Sequence, residues 1–324
     1  MDITTIKRKF RHIFIQLPLS TKNYSFNDAI IITSDPRSGS TWLMEVFGKM
    51  PNSVINWEPL HPNKGVVPKH YNFGSRVFIE PANDSQALKD FFHDLLTMKT
   101  FTNWTARFIA FNEIFSSKYV ITKFVRANGL LPWVTANLPL QHKPILLLRH
   151  PITTCSSQLQ NFHRFERDAL SAPYAEPTMY IAPDCFNNER YIENQSYINS
   201  LTSPLERQIA LWCIDNKDVI NHPKRDNWIM VYYENLVLNP EEEFSMILKN
   251  LNLPFSPEDF KKINFKKPSK TDSQKNYNSN PSIQLESFLN YFDNDYLKRI
   301  QDIFDYFGIV DYSAHSAYPI NTTE

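Results

Sequence analysis

The run Ser34-Asp35-Pro36-Arg37-Ser38-Gly39-Ser40-Thr41 places small polar residues and one guanidinium between an apolar stretch and a helix-forming one. Residues this small let the backbone turn tightly enough for several N–H groups to face one anion. A helix starting where the turn ends adds the positive end of its dipole. The chain has only six glycines, and Gly39 sits at the crowded point of this turn. The chemistry suggested is a phosphate cradle. A plain strand-turn-helix corner is the other structure this pattern can build.

Laid on the nucleoside-triphosphate pattern G-x-x-x-x-G-K-[ST], the run puts Ser34 at the first glycine, Gly39 at the second, Ser40 at the lysine and Thr41 at the hydroxyl. The lysine is missing. The apolar stretch Ile145 to Leu148 is followed by Arg149, where a triphosphatase carries the aspartate that holds Mg²⁺. Cations and backbone donors without carboxylates suit a phosphate ligand bound without metal.

PRSGSTWL resembles the 5′-phosphosulfate loop of sulfotransferases that use 3′-phosphoadenosine 5′-phosphosulfate (PAPS), in which [KR]-[ST]-G-[ST]-[ST] is usual. LLLRHPITTCSSQL resembles the family's second hallmark, a strand ending in Arg with Ser eight residues on, here Arg149 and Ser157. Pro151 between them is placed to open a helix at its first turn. WEPLHP is similar to the x-E-P-L segment of the carbohydrate-type branch, and TKFVRANGLLPW to its K-x-x-R-A strand end. VYYENLVLNPEEEF resembles the family's Y-E-D-L-x-x-x-P segment, with Asn235 in place of Asp. The likeness runs from about Ala29 to Ile309. One departure concerns the nucleotide lid: the phenol and steroid branch closes it with a glycine-bearing R-K-G loop, whereas no glycine lies between Gly129 and Gly308. Lys266 to Lys275, with Lys270 near the centre, would have to replace it.

The resemblance implies transfer of a sulfuryl group from PAPS to a hydroxyl or amine of a glycan or small metabolite, releasing PAP by in-line displacement without metal. It places Arg37 and the N–H groups from Ser38 through Gly39 and Ser40 to Thr41 on the 5′-phosphosulfate. Arg149 forks onto the 3′-phosphate with the Ser157 hydroxyl beside it. Trp42 stacks on the adenine, or is a core aromatic. Tyr233 lies near the adenine, or only packs at a strand end. The reaction needs a base and a cation near the leaving oxygen. Glu58 is the expected base, with His61 as its rival. His150 reads as a cap or packing residue, and His163 as a surface one. Arg37 is the first choice of cation, followed by Arg126, just beyond a strand end, and Lys123, which has to point upward out of a strand interior.

These residues need rigid supports. Apolar, β-branched runs at Ala29 to Ser34, Ser53 to Trp57, Tyr119 to Val125, Ile145 to Arg149 and Trp228 to Tyr233 suit strands buried on both faces. Helical stretches alternate with them at Thr41 to Lys49, Ala87 to Met98, Leu130 to Asn137, Ile152 to Phe162 and Pro204 to Ile220. Alternation of this kind makes an α/β fold, a P-loop-like doubly wound parallel sheet of about five strands flanked by helices in a single domain. The domain is expected over 29–310, with an N-terminal extension over 1–28 and a C-terminal tail over 311–324. Residues 161–203 are long, polar and proline-bearing, and are expected to form an acceptor-side insertion. The basic, aperiodic segment 266–281 reads as a nucleotide-covering loop.

Composition sets the outer limits. Hydrophobic residues make up 42% and aromatics 14%, enough for a sizeable core. Lys plus Arg and Asp plus Glu both count 34, so no overall field draws the chain to nucleic acid. Cys155, Cys185 and Cys213 show neither disulfide nor zinc spacing. The sequons at Asn83, Asn103, Asn194 and Asn321 read as chance in an Asn-rich chain. No transmembrane segment is evident, and a cytoplasmic protein, as monomer or homodimer, is expected. Two other readings stay open: a P-loop kinase or NTPase, and a non-catalytic nucleotide-binding or scaffold protein.

Overall fold

Five strands, β1 (Ala29–Ser34), β2 (Ser53–Trp57), β3 (Tyr119–Val125), β4 (Ile145–Leu148) and β5 (Ile229–Tyr232), form one sheet in the order β2-β3-β1-β4-β5. Every pairing is parallel. The computed structural model describes residues 15–74, 76–173, 188–254 and 280–320. All residues of β1 and β4 are buried, as central strands covered on both faces must be. On one face Ile30, Ile32, Ile121, Leu147 and Val231 pack against the helices Ser40–Phe47 and Pro240–Leu251. On the other, Ala29, Ile31 and Phe124 meet Phe92 of the helix Gln86–Leu96 and Trp133 of the helix Leu131–Asn137. Leu146 and Leu148 meet the helices Pro151–Phe162, Pro204–Ile220 and Asn294–Phe307.

The doubly wound parallel sheet matches the expectation from sequence. The helix Pro204–Ile220 has the bounds its signals dictate: Ser203 accepts from the Glu206 N–H, the Glu206 carboxylate accepts from the Ser203 N–H, and Pro204 opens the first turn. Ile15, Leu19 and Tyr24 are buried against Val54 and Val120, and Tyr312, Ala314 and Ala317 are buried in the main core. Residues 15–28 and 311–320 are therefore packed parts of the body. Within the expected insertion, the helices Glu189–Ile192 and Gln195–Ser200 pack on the helix Pro204–Ile220. Most of the expected covering loop, including Lys270, lies outside the described residues, as does Cys185. Cys155 and Cys213 are buried free thiols. Among the described residues no helix is long and apolar enough to cross a membrane.

Parallel strands bring all five carboxyl ends to one edge. Ser34, Trp57, Val125, Leu148 and Tyr232 end there, so Asp35, Glu58, Arg126, Arg149 and Tyr233 follow at the same rim. β1 has β3 on one side and β4 on the other, and the crevice above such a switch point is where open α/β sheets bind ligands.

Candidate active site

The turn after β1 is built on two left-handed residues, Arg37 (φ 69°) and Gly39 (φ 90°). Gly39 caps the helix Ser40–Phe47 without a side-chain hydrogen bond, so the first-turn N–H groups remain available to an anion. Glycine is required here for a second reason. A Cβ at this position would lie 2.5 Å from Cδ2 of Tyr233, whose ring presses on the turn. The guanidinium of Arg149 sits 4.4 Å over that same ring, and its Nη1 donates to the Arg37 carbonyl at 2.9 Å. Arg37 Nε donates to Ser157 Oγ at 3.0 Å. The fold thus gathers Arg37, Gly39, Arg149, Ser157 and Tyr233 from three strand ends and one helix. The two groups of residues that the motifs assign to separate phosphates are joined by the Arg37–Ser157 hydrogen bond. Ser38 Oγ and Arg149 Nε are buried with no hydrogen-bond partner among the described residues. Unpaired buried donors of this kind cost about 1–3 kcal/mol each.

The second cluster lies at the ends of β2 and β3, which pair with Trp57 opposite Lys123. Lys123 points up out of its strand. Its Nζ donates to Glu58 Oε1 at 2.9 Å and to Thr41 Oγ1 at 3.1 Å, and lies 3.9 Å from the centre of the Trp57 ring. Burial lowers the Lys123 pKa, and the Glu58 carboxylate opposes that shift. Sequence reasoning ranked Arg126 ahead of Lys123. In the structure the Arg126 backbone (φ 58°) bonds to Ser34 and Val77, and its guanidinium lies 5.9 Å over Phe162. Glu58 also holds a left-handed backbone, φ 42°. Left-handed non-glycine residues cost about 1–2 kcal/mol, and three of them, Arg37, Glu58 and Arg126, stand at this rim. His61 Nδ1 accepts from the Asn63 N–H at 3.2 Å, and its ring meets Trp104 edge-on at 5.3 Å. Burial lowers the His61 pKa, with Glu58 opposing.

A model of the sulfotransferase family matches residues 29–257, a span holding every one of these side chains. The chain belongs to the sulfotransferase family. No curated protein matches the sequence significantly. Among solved structures, mouse sulfotransferase SULT7A1 complexed with PAP is 13% identical over 90% of this chain and 87% of that one, with a TM-score of 0.43. The sulfotransferase domain of the Synechococcus PCC 7002 olefin synthase is 15% identical over 89% and 98%, with a TM-score of 0.41. The family assignment rests on the sequence match, not on these distant likenesses.

Sequence reasoning passed over the support beneath the sulfotransferase loop. Asp35 is buried, and burial raises its carboxyl pKa. Its Oδ2 accepts from Asn216 Nδ2 at 2.8 Å and Asn128 Nδ2 at 3.1 Å, while Thr33 Oγ1 donates to Asn128 Oδ1 at 2.8 Å. The network fastens the turn to the helix Pro204–Ile220. A signal existed: an acid inside an anion-binding turn is unfavourable unless it faces inward and is paired. Trp42 is half-buried against the apolar face below. His163 is an exposed helix cap.

His150 caps the helix Pro151–Phe162: its Nδ1 accepts from the Ile152 N–H, and its Nε2 lies 3.1 Å from the Ser313 carbonyl. Burial pulls its pKa from 6.5 to about 4. Because the folded value is the lower one, the unfolded chain takes up the proton first. The stability His150 contributes is then whole above pH 6.5 and drains as pH falls toward 4. That gap is on the order of 3 kcal/mol. The neighbouring Glu234, whose carboxyl is raised by burial, acts in the opposite direction. His150→Asn keeps a capping side chain but does not titrate. Urea unfolding at pH 7 and at pH 4.5 should show the wild type's advantage shrinking at the lower pH. An unchanged advantage would show that His150 is not the group responsible.

Proposed function

We propose that this protein is a PAPS-dependent sulfotransferase acting on a hydroxyl or amine of a glycan or small metabolite. The observation that carries the reading is the junction around Gly39. Arg37, Arg149 and Ser157 converge there with two unpaired buried donors and an aromatic face, which is the donor set a nucleotide with two phosphate positions requires. PAPS supplies a sulfuryl group on a good leaving group, and the chain's residues do the rest. The loop N–H groups and Arg37 hold the phosphosulfate. Arg149 and Ser157 hold the 3′-phosphate, and Tyr233 and Trp42 border the adenine. Glu58 takes the proton from the acceptor as its oxygen bonds to sulfur and the bond from sulfur to the bridging phosphate oxygen breaks. Lys123, bonded to both Thr41 and Glu58, is the cation set between loop and base, where negative charge builds on the departing oxygen.

Binding on this reading needs no metal, since the loop offers cations and amides where a triphosphatase offers carboxylates. Calorimetry with PAP in excess EDTA should give the affinity measured with magnesium, and turnover should be equally unaffected. A loss of about tenfold on chelation, some 1.4 kcal/mol, would overturn the metal-free reading.

A further inference from the structure

A groove of about 680 Å³ opens between residues 70–74, 76–85 and 188–191. Two routes fasten it to the phosphate loop. Arg76 and Tyr191, both in its lining, bond to Asp215, and the next residue, Asn216, donates to Asp35 at the foot of the loop. The Val77 N–H donates to the Arg126 carbonyl at 3.0 Å, and the Arg126 N–H donates to the Ser34 carbonyl at the end of β1 at 3.0 Å. The backbone beside the groove is thus bonded to the strand-end rim that carries Arg126.

Its lining states what it can hold. Tyr71 and Phe73 stack with their planes 3° apart and their centres 5.2 Å apart, and Phe78 lies 4.0 Å beneath the Arg190 guanidinium. Both arginines are committed, Arg76 to Asp215 and Arg190 to Asp218 at 3.4 Å. The carboxylates of Glu80 and Glu189 are exposed and make no ion pair among the described residues. An acceptor carrying sulfates, phosphates or uronates would meet repulsion from the two exposed carboxylates, while Arg76 and Arg190 are engaged with Asp215 and Asp218. Sugar hydroxyls would find acceptors in the two carboxylates, and the C–H faces of pyranose rings would find aromatic walls. The volume lies within the range of sites that enclose a ligand larger than one ring.

We propose that this groove is the acceptor site and that it takes an uncharged oligosaccharide, an inference that rests on the sulfuryl-transfer reading above. The test uses the full chain. PAP binding is measured first by calorimetry. Transfer from ³⁵S-labelled PAPS is then compared for cellohexaose, chitohexaose, a heparin-derived hexasaccharide and 4-nitrophenol. The expected result is label on a neutral hexasaccharide, with Glu80→Gln and Glu189→Gln each raising its KM by about fivefold or more while PAP affinity stays within about twofold. Both variants are conservative changes at exposed positions, and thermal unfolding checks that they fold. If PAP binds but label goes only to the anionic sugar or the phenol, or to none of the four, the acceptor inference falls. It falls equally if neither variant moves KM. Failure of PAP to bind would overturn the sulfuryl-transfer reading itself, and this inference with it.

Discussion

Glu58→Gln is expected to lower turnover by roughly 10² to 10⁴, the usual worth of a positioned general base, while PAP binding hardly changes. The substitution keeps size and an oxygen that can still accept from Lys123 Nζ, now 2.9 Å from Oε1, but it removes the group that takes the proton. It also leaves the buried Lys123 ammonium without its counter-charge, which lowers the Lys123 pKa further. Thermal unfolding of the variant must therefore accompany the kinetics. His61→Asn is the paired control. Its ring bonds to the Asn63 N–H and packs on Trp104, so its loss should cost little turnover. The comparison needs a hydroxyl acceptor, because an amine already free of its proton would hide the loss of the base. Retention of more than about a tenth of wild-type turnover in Glu58→Gln, with chemistry rate-limiting, would remove Glu58 from the role; a large loss in His61→Asn would transfer it.

Arg149→Ala should weaken PAPS binding by about 1.5 to 3 kcal/mol, the range for hydrogen bonds to a charged group, or roughly tenfold to 150-fold in Kd. The guanidinium also donates to the Arg37 carbonyl and covers the Tyr233 ring, so part of the loss comes from a looser turn. The two contributions separate in a competition between PAPS and its analogue lacking the 3′-phosphate. A mutant that merely loosens the turn weakens both nucleotides alike, whereas loss of a 3′-phosphate ligand narrows the preference between them. If the mutant discriminates as well as wild type, Arg149 does not hold that phosphate. Ser157→Ala should lose less, and should also release Arg37, whose Nε it accepts.

The sheet was legible because its strands are continuous β-branched runs, and three of them, Ala29–Ser34, Ser53–Trp57 and Tyr119–Val125, have the bounds their composition dictates. Arg37, Arg149 and Ser157 were found by motif spacing, and the structure brings the three together. The reach of Lys123 to Glu58 and Thr41 was not legible, because alternation along a strand tells which face a side chain takes, not how far a long one climbs toward the rim. That depends on the β2–β3 register, set by residues 66 positions apart in Trp57↔Lys123. That Asp35 must be paired was legible from its place in the turn, but its partners were not, since Asn128 and Asn216 come from segments far along the chain. The packing of the segments 15–28 and 311–320 was not legible because polar, low-periodicity stretches can still donate single large anchors, such as Tyr312, to a core.

The strand order has a consequence for how the protein comes to exist. No two neighbours in the sheet are close in sequence: Ala29 pairs with Val120, Ile32 with Ile145, and Ile145 with Ile229. No hairpin can form early, and each pairing must close a long loop before it gains stability, which places such topologies among the slower folders. During synthesis β1 emerges first of the five, yet both its edges stay unpaired until β3 and β4 have left the ribosome. The phosphate turn, anchored to β1 and completed by Arg149 after β4, cannot exist as a local unit before then. Nascent chains thus carry an incompletely paired apolar strand for about a third of their length and no complete site until Tyr233 has emerged, an interval in which a chaperone is more useful to them than their own ligand.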